Sequence, residues 1–367
     1  MLLTSATPAR PSYLHGGDGV QCIADGASSA LEFATHLNHQ VDQYAVYGQA
    51  DWTILPKLTA TVGARYFRAK VTNHALAPQD IGDWFAGIVT TPHVTQDDVV
   101  KQHKVSYNFA LRYEFDRDIS VYARVASGYR IGGANKSESA AKNFGITIPG
   151  AYEPDSLWNY EGGIKASLLD RKLFLDWSVY YIDWSNQQLR GTDPTGAFSH
   201  TINAGKTHVK GSEAQITVKP VTGLSLAGGV TYTDATLAQN LPAAVLAGGV
   251  IGFKGDQLPR SAKWSFNVLG EYDAPVTETL TAYVAGSVGY HGSSYYEFES
   301  DPSGLKLRQY TLVDARVGLR SGPFDASVYV ENATNKAAEL GIFSSVDGTK
   351  VYSARPRTIG LKLTGSF

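Results

Sequence analysis

The chain has 367 residues, 18% of them charged, a formal net charge of −2, one Cys and one Met. A single thiol excludes a disulfide-stapled scaffold and any Cys-built zinc or iron–sulfur site, and near-neutrality argues against a strongly basic nucleic-acid binder. No apolar run reaches the ~18–20 residues of a membrane helix; the longest candidate, Pro242 to Phe253, holds three glycines.

Along the chain the side chains alternate with a period of two, the signature of strands. In 105–115, Val105, Tyr107, Phe109, Leu111, Tyr113 and Phe115 oppose Ser106, Asn108, Arg112 and Glu114. In 173–183, Leu173, Leu175, Trp177, Val179 and Tyr181 oppose Asp176 and Ser178. The same pattern sets Trp264, Phe266 and Val268 against Lys263, Ser265 and Asn267, and Ile359, Leu361 and Leu363 against Thr358, Lys362 and Thr364. Thirteen such segments are expected, near 42–54, 58–74, 101–115, 119–132, 155–168, 173–188, 203–220, 224–236, 260–272, 279–297, 308–320, 324–334 and 353–367. At ~3.3 Å per residue and ~45° tilt, a segment of about fourteen residues rises ~33 Å, enough to cross a bilayer core.

The connections alternate between short and long. Leu55–Lys57, Asp116–Asp118, Leu169–Lys172, Val221–Gly223, Asp273–Glu278 and Ser321–Pro323 are short; 75–100, 133–154, 189–202, 237–259, 298–307 and 335–352 are long. Tight turns at one rim and long loops at the other describe an outer-membrane barrel. One face carries charges, among them Arg65, Arg112, Glu114, Arg124, Glu161, Lys165, Asp176, Glu213, Glu271, Arg316 and Arg320. The other is apolar, with Trp52, Phe115, Trp158, Tyr160, Tyr181, Tyr232 and Tyr272 toward the strand ends. A wet lumen inside, lipid outside and aromatic girdles account for that division, and paired strands satisfy the backbone without water. The fold expected is all-β: an antiparallel transmembrane β-barrel portion of about 13 long strands, with short periplasmic turns and long extracellular loops. The alternative is a large soluble β-protein with one face in water.

Several stretches, in order, resemble the C-terminal barrel of TonB-dependent outer-membrane receptors. Tyr44-Ala-Val-Tyr-Gly-Gln-Ala-Asp-Trp52 and Leu58-Thr-Ala-Thr-Val-Gly-Ala-Arg-Tyr66 resemble the strand–turn–GxRY unit. Val125-Ala-Ser-Gly-Tyr-Arg130 with Gly132-Gly-Ala-Asn135, Glu153-Pro154 with Asn159-Tyr-Glu-Gly-Gly-Ile-Lys165, and Asn203-Ala-Gly-Lys206 with Lys210-Gly-Ser-Glu213 resemble later family motifs. Leu258-Pro-Arg-Ser261, Val330-Glu-Asn-Ala-Thr-Asn-Lys336 and Arg355-Pro-Arg357 continue the series. The last strand resembles an outer-membrane assembly signal, with Ile359, Leu361, Leu363 and terminal Phe367; Gly365 stands where an apolar residue is usual.

The resemblance implies a 22-stranded barrel in which residues 42–367 correspond to strands 10–22 and residues 1–41 to an irregular remnant of an extracellular loop. No export signal, plug domain or TonB-contacting box is recognised. The expectation is a fragment, incomplete or open, curved as a half-barrel or closed under strain. Such a fragment is not expected to carry out energy-coupled uptake alone. The implied setting is the outer membrane of a Gram-negative bacterium. The implied partners are outer-membrane lipid, TonB through the absent plug, and the barrel-assembly machinery through the C-terminal strand; a monomer with no nucleic-acid partner is expected.

Ligand-binding candidates sit in or beside the long loops: Trp84, Phe85, Trp184, Arg190, His200, Tyr295, Tyr296 and Phe298. Aromatic rings suit flat siderophore groups and Arg suits their anionic oxygens, while the plainer reading is that the aromatics order the loops. Glu32, His36 and His39 have helical spacing that would suit one metal-binding turn, but an exposed helical turn in a loop is the preferred reading; Asp97-Asp98 would suit calcium, but a solvated acidic pair is preferred; Cys22 is alone. No nucleophile–base grouping or phosphate loop is found, so no enzyme activity, resident metal or cofactor is expected. The function implied is uptake of a ferric siderophore or similar large nutrient; the alternative is a passive porin-like or translocator barrel without TonB coupling.

Overall fold

The computed structural model describes residues 36–77, 94–135, 138–143, 145–193, 198–203, 205–247, 250–345 and 348–366. In chain order the strands are β1 (His36–Leu55), β2 (Leu58–Ala77), β3 (Val94–Glu114), β4 (Ile119–Arg130), β5 (Gly133–Ala134), β6 (Ala151–Tyr152), β7 (Asp155–Leu168), β8 (Leu173–Ser185), β9 (Gln188–Thr192), β10 (Ser199–Asn203) and β11 (Lys206–Val218). They continue as β12 (Leu224–Leu237), β13 (Trp264–Pro275), β14 (Leu280–His291), β15 (Ser294–Tyr295), β16 (Lys306–Leu307), β17 (Tyr310–Ser321), β18 (Phe324–Glu331), β19 (Glu339–Ser345), β20 (Gly348–Ser353) and β21 (Thr358–Gly365). Thirteen of them form one antiparallel sheet in the order β1-β2-β3-β4-β7-β8-β11-β12-β13-β14-β17-β18-β21. Among the described residues the sheet is not closed: β1 pairs only with β2 and β21 only with β18.

The thirteen wall strands are the thirteen alternating segments of the sequence. The eight short strands form four hairpins within the long loops, β5/β6, β9/β10, β15/β16 and β19/β20. Two short helices, Glu138–Asn143 and Ala243–Ala247, also lie in loops.

Strand ends differ from the sequence reading where the wall leaves the apolar band. β1, β2 and β3 run to 20, 20 and 21 residues, so β1 begins at His36, inside the stretch read as irregular. His36 and His39 are therefore strand residues, not one turn of a helix; His39 Nδ1 lies 2.5 Å from Asn73 Oδ1. Asp97 and Asp98 lie within β3, not in a loop. β14 ends at His291, and Gly292 N–H makes one more ladder bond, to its register partner Trp264 O (2.9 Å). β21 starts only at Thr358, after Pro356, which has no N–H for a ladder.

The pairing register confirms the two faces. Lys165 stands opposite Asp176, and Glu161 opposite Tyr180, on the charged face; Trp177 stands opposite Ile164 and Ala214 on the apolar one. The apolar face is open: Ile359, Leu361 and Leu363 are 71%, 66% and 71% exposed. A continuous apolar surface of that extent needs lipid against it. Toward the long-loop rim its rings meet in cross-strand contacts, Tyr107–Trp158 (6.1 Å), Tyr160–Tyr181 (6.4 Å), Tyr232–Trp264 (4.8 Å) and Phe266–Tyr290 (4.9 Å), an aromatic girdle.

On the charged face four tyrosine rings lie flat over glycines: Tyr122 on Gly163, Tyr180 on Gly211, Tyr283 on Gly318 and Tyr329 on Gly360. A Cβ at any of these glycines would fall inside the ring's contact distance. Arg320 lies 3.9 Å over the Tyr283 ring and donates to Asp273 (2.8 Å), Glu271 (2.7 Å) and Asp325 (3.2 Å), and Arg316 joins Glu271 (2.8 Å). On this stretch of the wall the lumen charges satisfy one another.

Candidate functional site

The main apolar core lies at the long-loop end of the wall, where the long loops pack on the ends of β11 and β12. Ile202, Val209, Ala235, Leu237, Leu241, Val250, Leu258 and Phe298 form one buried cluster. It joins loops 186–205, 238–263 and 292–309 because each contributes apolar residues to it. Asn135 ties in a fourth loop, donating from Nδ2 to Thr201 O (2.7 Å) and accepting from Thr201 N–H (2.7 Å). Ser300 Oγ donates to Asp256 (2.7 Å), and the Arg308 guanidinium donates from Nε to Glu339 Oε1 (2.7 Å), bringing in the fifth. Five loops therefore form one roof at the end of the strands.

At the roof's base, Asp155 is 1% exposed and gathers hydrogen bonds from Arg130 N–H (2.9 Å), Arg130 Nε (2.8 Å) and Gln188 N–H (3.3 Å). The Arg130 guanidinium also donates to Gln188 O (2.9 Å) and lies 4.7 Å over the Trp184 ring. This clamp places Trp184 on the lumen row of β8; its indole N–H is buried and has no hydrogen-bond partner among the described residues. Phe67, Ala69 and Val71 are buried on β2, with Phe67 stacked on Tyr129 at 4.8 Å. Gln102 holds Gly132 through both its amide atoms (2.7 and 3.3 Å).

Of the sequence candidates, Arg190 is exposed on hairpin β9/β10, opposite Thr201. His200 on the same hairpin is 4% exposed, its Nδ1 3.2 Å from Phe198 O. Tyr295 is partly exposed; it donates to Glu299 (2.9 Å) and carries Lys306 Nζ 4.7 Å over its ring. Tyr296 is buried under Arg260 (4.5 Å), and Phe298 belongs to the roof core. Trp84, Phe85 and Phe367 lie outside the described residues, as do Glu32 and Cys22.

Burial raises the Glu297 carboxyl above the ordinary range, assisted by Asp301 and opposed by Arg260. Hydrogen bonding by Arg308 holds Glu339 below it. The sequence reading missed Arg130, Asp155, Arg260 and Lys306. Arg130 and Asp155 were nonetheless visible as the ends of two adjacent strands flanking one long loop.

Exposed cations and rings at the rim can hold an anionic, partly aromatic solute. The sequence profile described as "TonB dependent receptor-like, beta-barrel" matches residues 16–335. Curated relatives include the ferrichrome receptor FcuA of Yersinia enterocolitica, 28% identical over 51% of this chain and 24% of that protein. The metal-pseudopaline receptor CntO of Pseudomonas aeruginosa is 27% identical over 64% of this chain and 31% of its own length. The ferric yersiniabactin uptake receptor FyuA of Yersinia pestis superposes with a TM-score of 0.72 at 16% identity, over 91% of this chain and 47% of that one. The ferric-catecholate import receptor Fiu of E. coli K12 gives 0.67 at 18%, over 90% and 45%. The chain thus spans less than half the length of these proteins. With the open wall, the girdle and the roof, these matches show that the chain belongs to the TonB-dependent receptor β-barrel family, proteins of the Gram-negative outer membrane.

Proposed function

We propose that the chain forms wall and roof of a receptor that takes up a metal–siderophore complex, or a nutrient of similar size and charge, with energy supplied through TonB. The observation that carries this is the roof: five loops, three through a shared core and two through hydrogen bonds, hold cations and aromatic rings above the lumen. A passive pore has no need of so much fixed structure at its mouth. The names of the curated relatives, receptors for ferrichrome and for metal-pseudopaline, support the cargo class.

Arg190 and Tyr295 are the described candidates open to ligand, with Trp184 on the lumen row of β8 and Trp84 and Phe85 as further candidates. His200, Tyr296 and Phe298 reach a ligand only if the roof opens. Membrane insertion proceeds through the assembly machinery, reading Ile359, Leu361, Leu363 and Phe367, and the protein acts as a monomer. The test is titration of the purified chain with ferric hydroxamate, phenolate and carboxylate siderophores, followed by tryptophan fluorescence. Saturable quenching by one class, weakened about tenfold or more by Arg190→Ala through loss of a charged hydrogen bond, supports the reading. Quenching by none, together with steady currents in planar bilayers, replaces it with a passive barrel.

A further inference from the structure

Loop 292–309 carries one carboxylate that the roof leaves unanswered. Glu297 is half-buried between Tyr296 and Phe298, which are 9% and 3% exposed. The backbone on either side is pinned: Tyr296 N–H donates to Leu305 O (2.9 Å), Asp301 N–H to Phe298 O (3.0 Å) and Arg260 N–H to Tyr295 O (2.7 Å). With Phe298 set in the roof core, the seated loop holds Glu297 partly out of water.

Loops 238–263 and 292–309 contain four carboxylates, and the other three have donors. Asp256 accepts from Ser300 Oγ (2.7 Å) and Phe253 N–H (2.8 Å), Glu299 from the Tyr295 hydroxyl (2.9 Å), and Asp301 from Ser303 N–H (2.8 Å). Glu297 has no hydrogen bond or ion pair among the described residues. The charged groups that act on it are Asp301, which opposes its ionisation, and Arg260, which favours it. The Arg260 guanidinium is exposed, lies over the Tyr296 ring (4.5 Å) and makes no ion pair. Of the other cations in these loops, Lys306 lies over Tyr295, Arg308 joins Glu339, Lys263 joins Asp234, and Lys254 is exposed in a turn.

A carboxylate held partly out of water, with no donor and a second negative charge nearby, is disfavoured as an anion. We propose that Glu297 is a proton-operated latch on the roof: neutral, it lets loop 292–309 seat on its core; ionised, it loosens that loop and frees Tyr296 and Phe298. Burial holds its value above the ordinary 4.5, so the seated loop binds the proton more tightly than the released one. The latch therefore contributes fully below pH 4.5 and is lost as pH rises through the raised value. Glu339, which anchors the far end of the same loop through Arg308, is shifted the other way and lets go only below pH 4.5. Together they hold the loop most firmly in mild acid. What the open loop admits rests on the function proposed above; the latch itself rests on packing and is tested without ligand.

The experiment follows the full chain in detergent micelles by hydrogen exchange from about pH 4.5 to 8, each rate divided by the intrinsic chemical rate at that pH. The probes are the amides of Tyr296 and Asp301, with β7 and β8 reporting on the wall. Protection of the two loop amides should fall as pH rises, by up to about tenfold per pH unit, while the wall stays unchanged. Glu297→Gln should keep the acid level of protection throughout. Asp301→Asn should move the fall to lower pH and Arg260→Gln to higher pH, both retaining it, which separates a moved titration from a disturbed fold. Flat protection in the parent, a fall that survives in Glu297→Gln, or a Gln variant less protected than the parent at the alkaline end would overturn the latch.

Discussion

Phe298 is 3% exposed among Leu237, Leu241, Val250 and Leu258, where loops 238–263 and 292–309 meet. Phe298→Ala removes a ring that those loops cannot collapse to replace, and should cost about 3–5 kcal/mol of roof stability. The neighbouring backbone supplies a matched second perturbation. A Cβ at Gly252 would stand 2.9 Å from Phe298 Cδ2 and 3.0 Å from Leu237 Cδ1 and Leu241 Cδ1. Gly252→Ala therefore overpacks the same space, by about 1–3 kcal/mol. Combined, the extra methyl enters the room the ring has vacated, and the double variant should be less destabilised than the sum by ~0.5 kcal/mol or more. The assay is hydrogen exchange at the amides of Leu241, bonded to Gly252 O (3.1 Å), and Leu258, bonded to Ala235 O (2.9 Å). Phe298→Ala should speed both by roughly a hundred- to a few-thousand-fold, at ~1.4 kcal/mol per decade, leaving the amides of β7 and β8 protected. Strict additivity, or exchange that rises equally in the wall, would refute the idea of a roof with its own core.

Asp155→Ala should free the Arg130 guanidinium from above Trp184 and loosen hairpin β9/β10; because Arg130 is about half exposed and can turn to water, the loss should be ~1–3 kcal/mol, read by Trp fluorescence and exchange at Gln188. Glu339 titrates below its ordinary 4.5 because Arg308 donates to it, so its contribution to holding hairpin β19/β20 is complete above pH 4.5 and fades as pH falls through the lowered value. Protection of residues 339–353 should therefore hold from pH 7 to 4.5 and decline below, and Arg308→Gln should abolish the step; a decline beginning near neutrality would contradict it. Arg320→Gln strips the main partner from Glu271, Asp273 and Asp325 and should lower the temperature at which the barrel unfolds on gels, by ~1–3 kcal/mol, with Asp325→Asn in the same chain restoring part of it. Failure of that rescue would show that Arg320 acts by packing on Tyr283 alone.

The wall was legible because lipid on one side and water on the other force a strict alternation on every strand crossing the bilayer. Segment 155–168 matches β7 residue for residue. The pattern faded where both faces meet water or loop, as at His36–Val41 and Ala75–Ala77, so β1 and β2 were read short. The loop hairpins, of two to seven residues a strand, are too brief to show a period. Nothing local distinguishes Tyr295, partly open, from Phe298, buried three residues later; that difference is made by Leu237 at the end of β12 and by Leu241 and Val250 from the loop after it. Asp155 likewise gains its meaning only once Arg130 stands beside it on the neighbouring strand.

The tyrosines seated on glycines fall at particular seams. Each is a directly opposed pair, on β4/β7, β8/β11, β14/β17 and β18/β21, and each seam joins strands connected by a long loop. Where a tight turn links two strands, the turn sets their alignment; a long loop sets none. A slip by one residue would turn Lys165 or Arg316 toward lipid, and a ring that fits only over a glycine forbids it. The information that aligns the wall therefore resides in the wall. The loops above are released from that duty, and can change in length and sequence to suit a different cargo while the strands below keep their places.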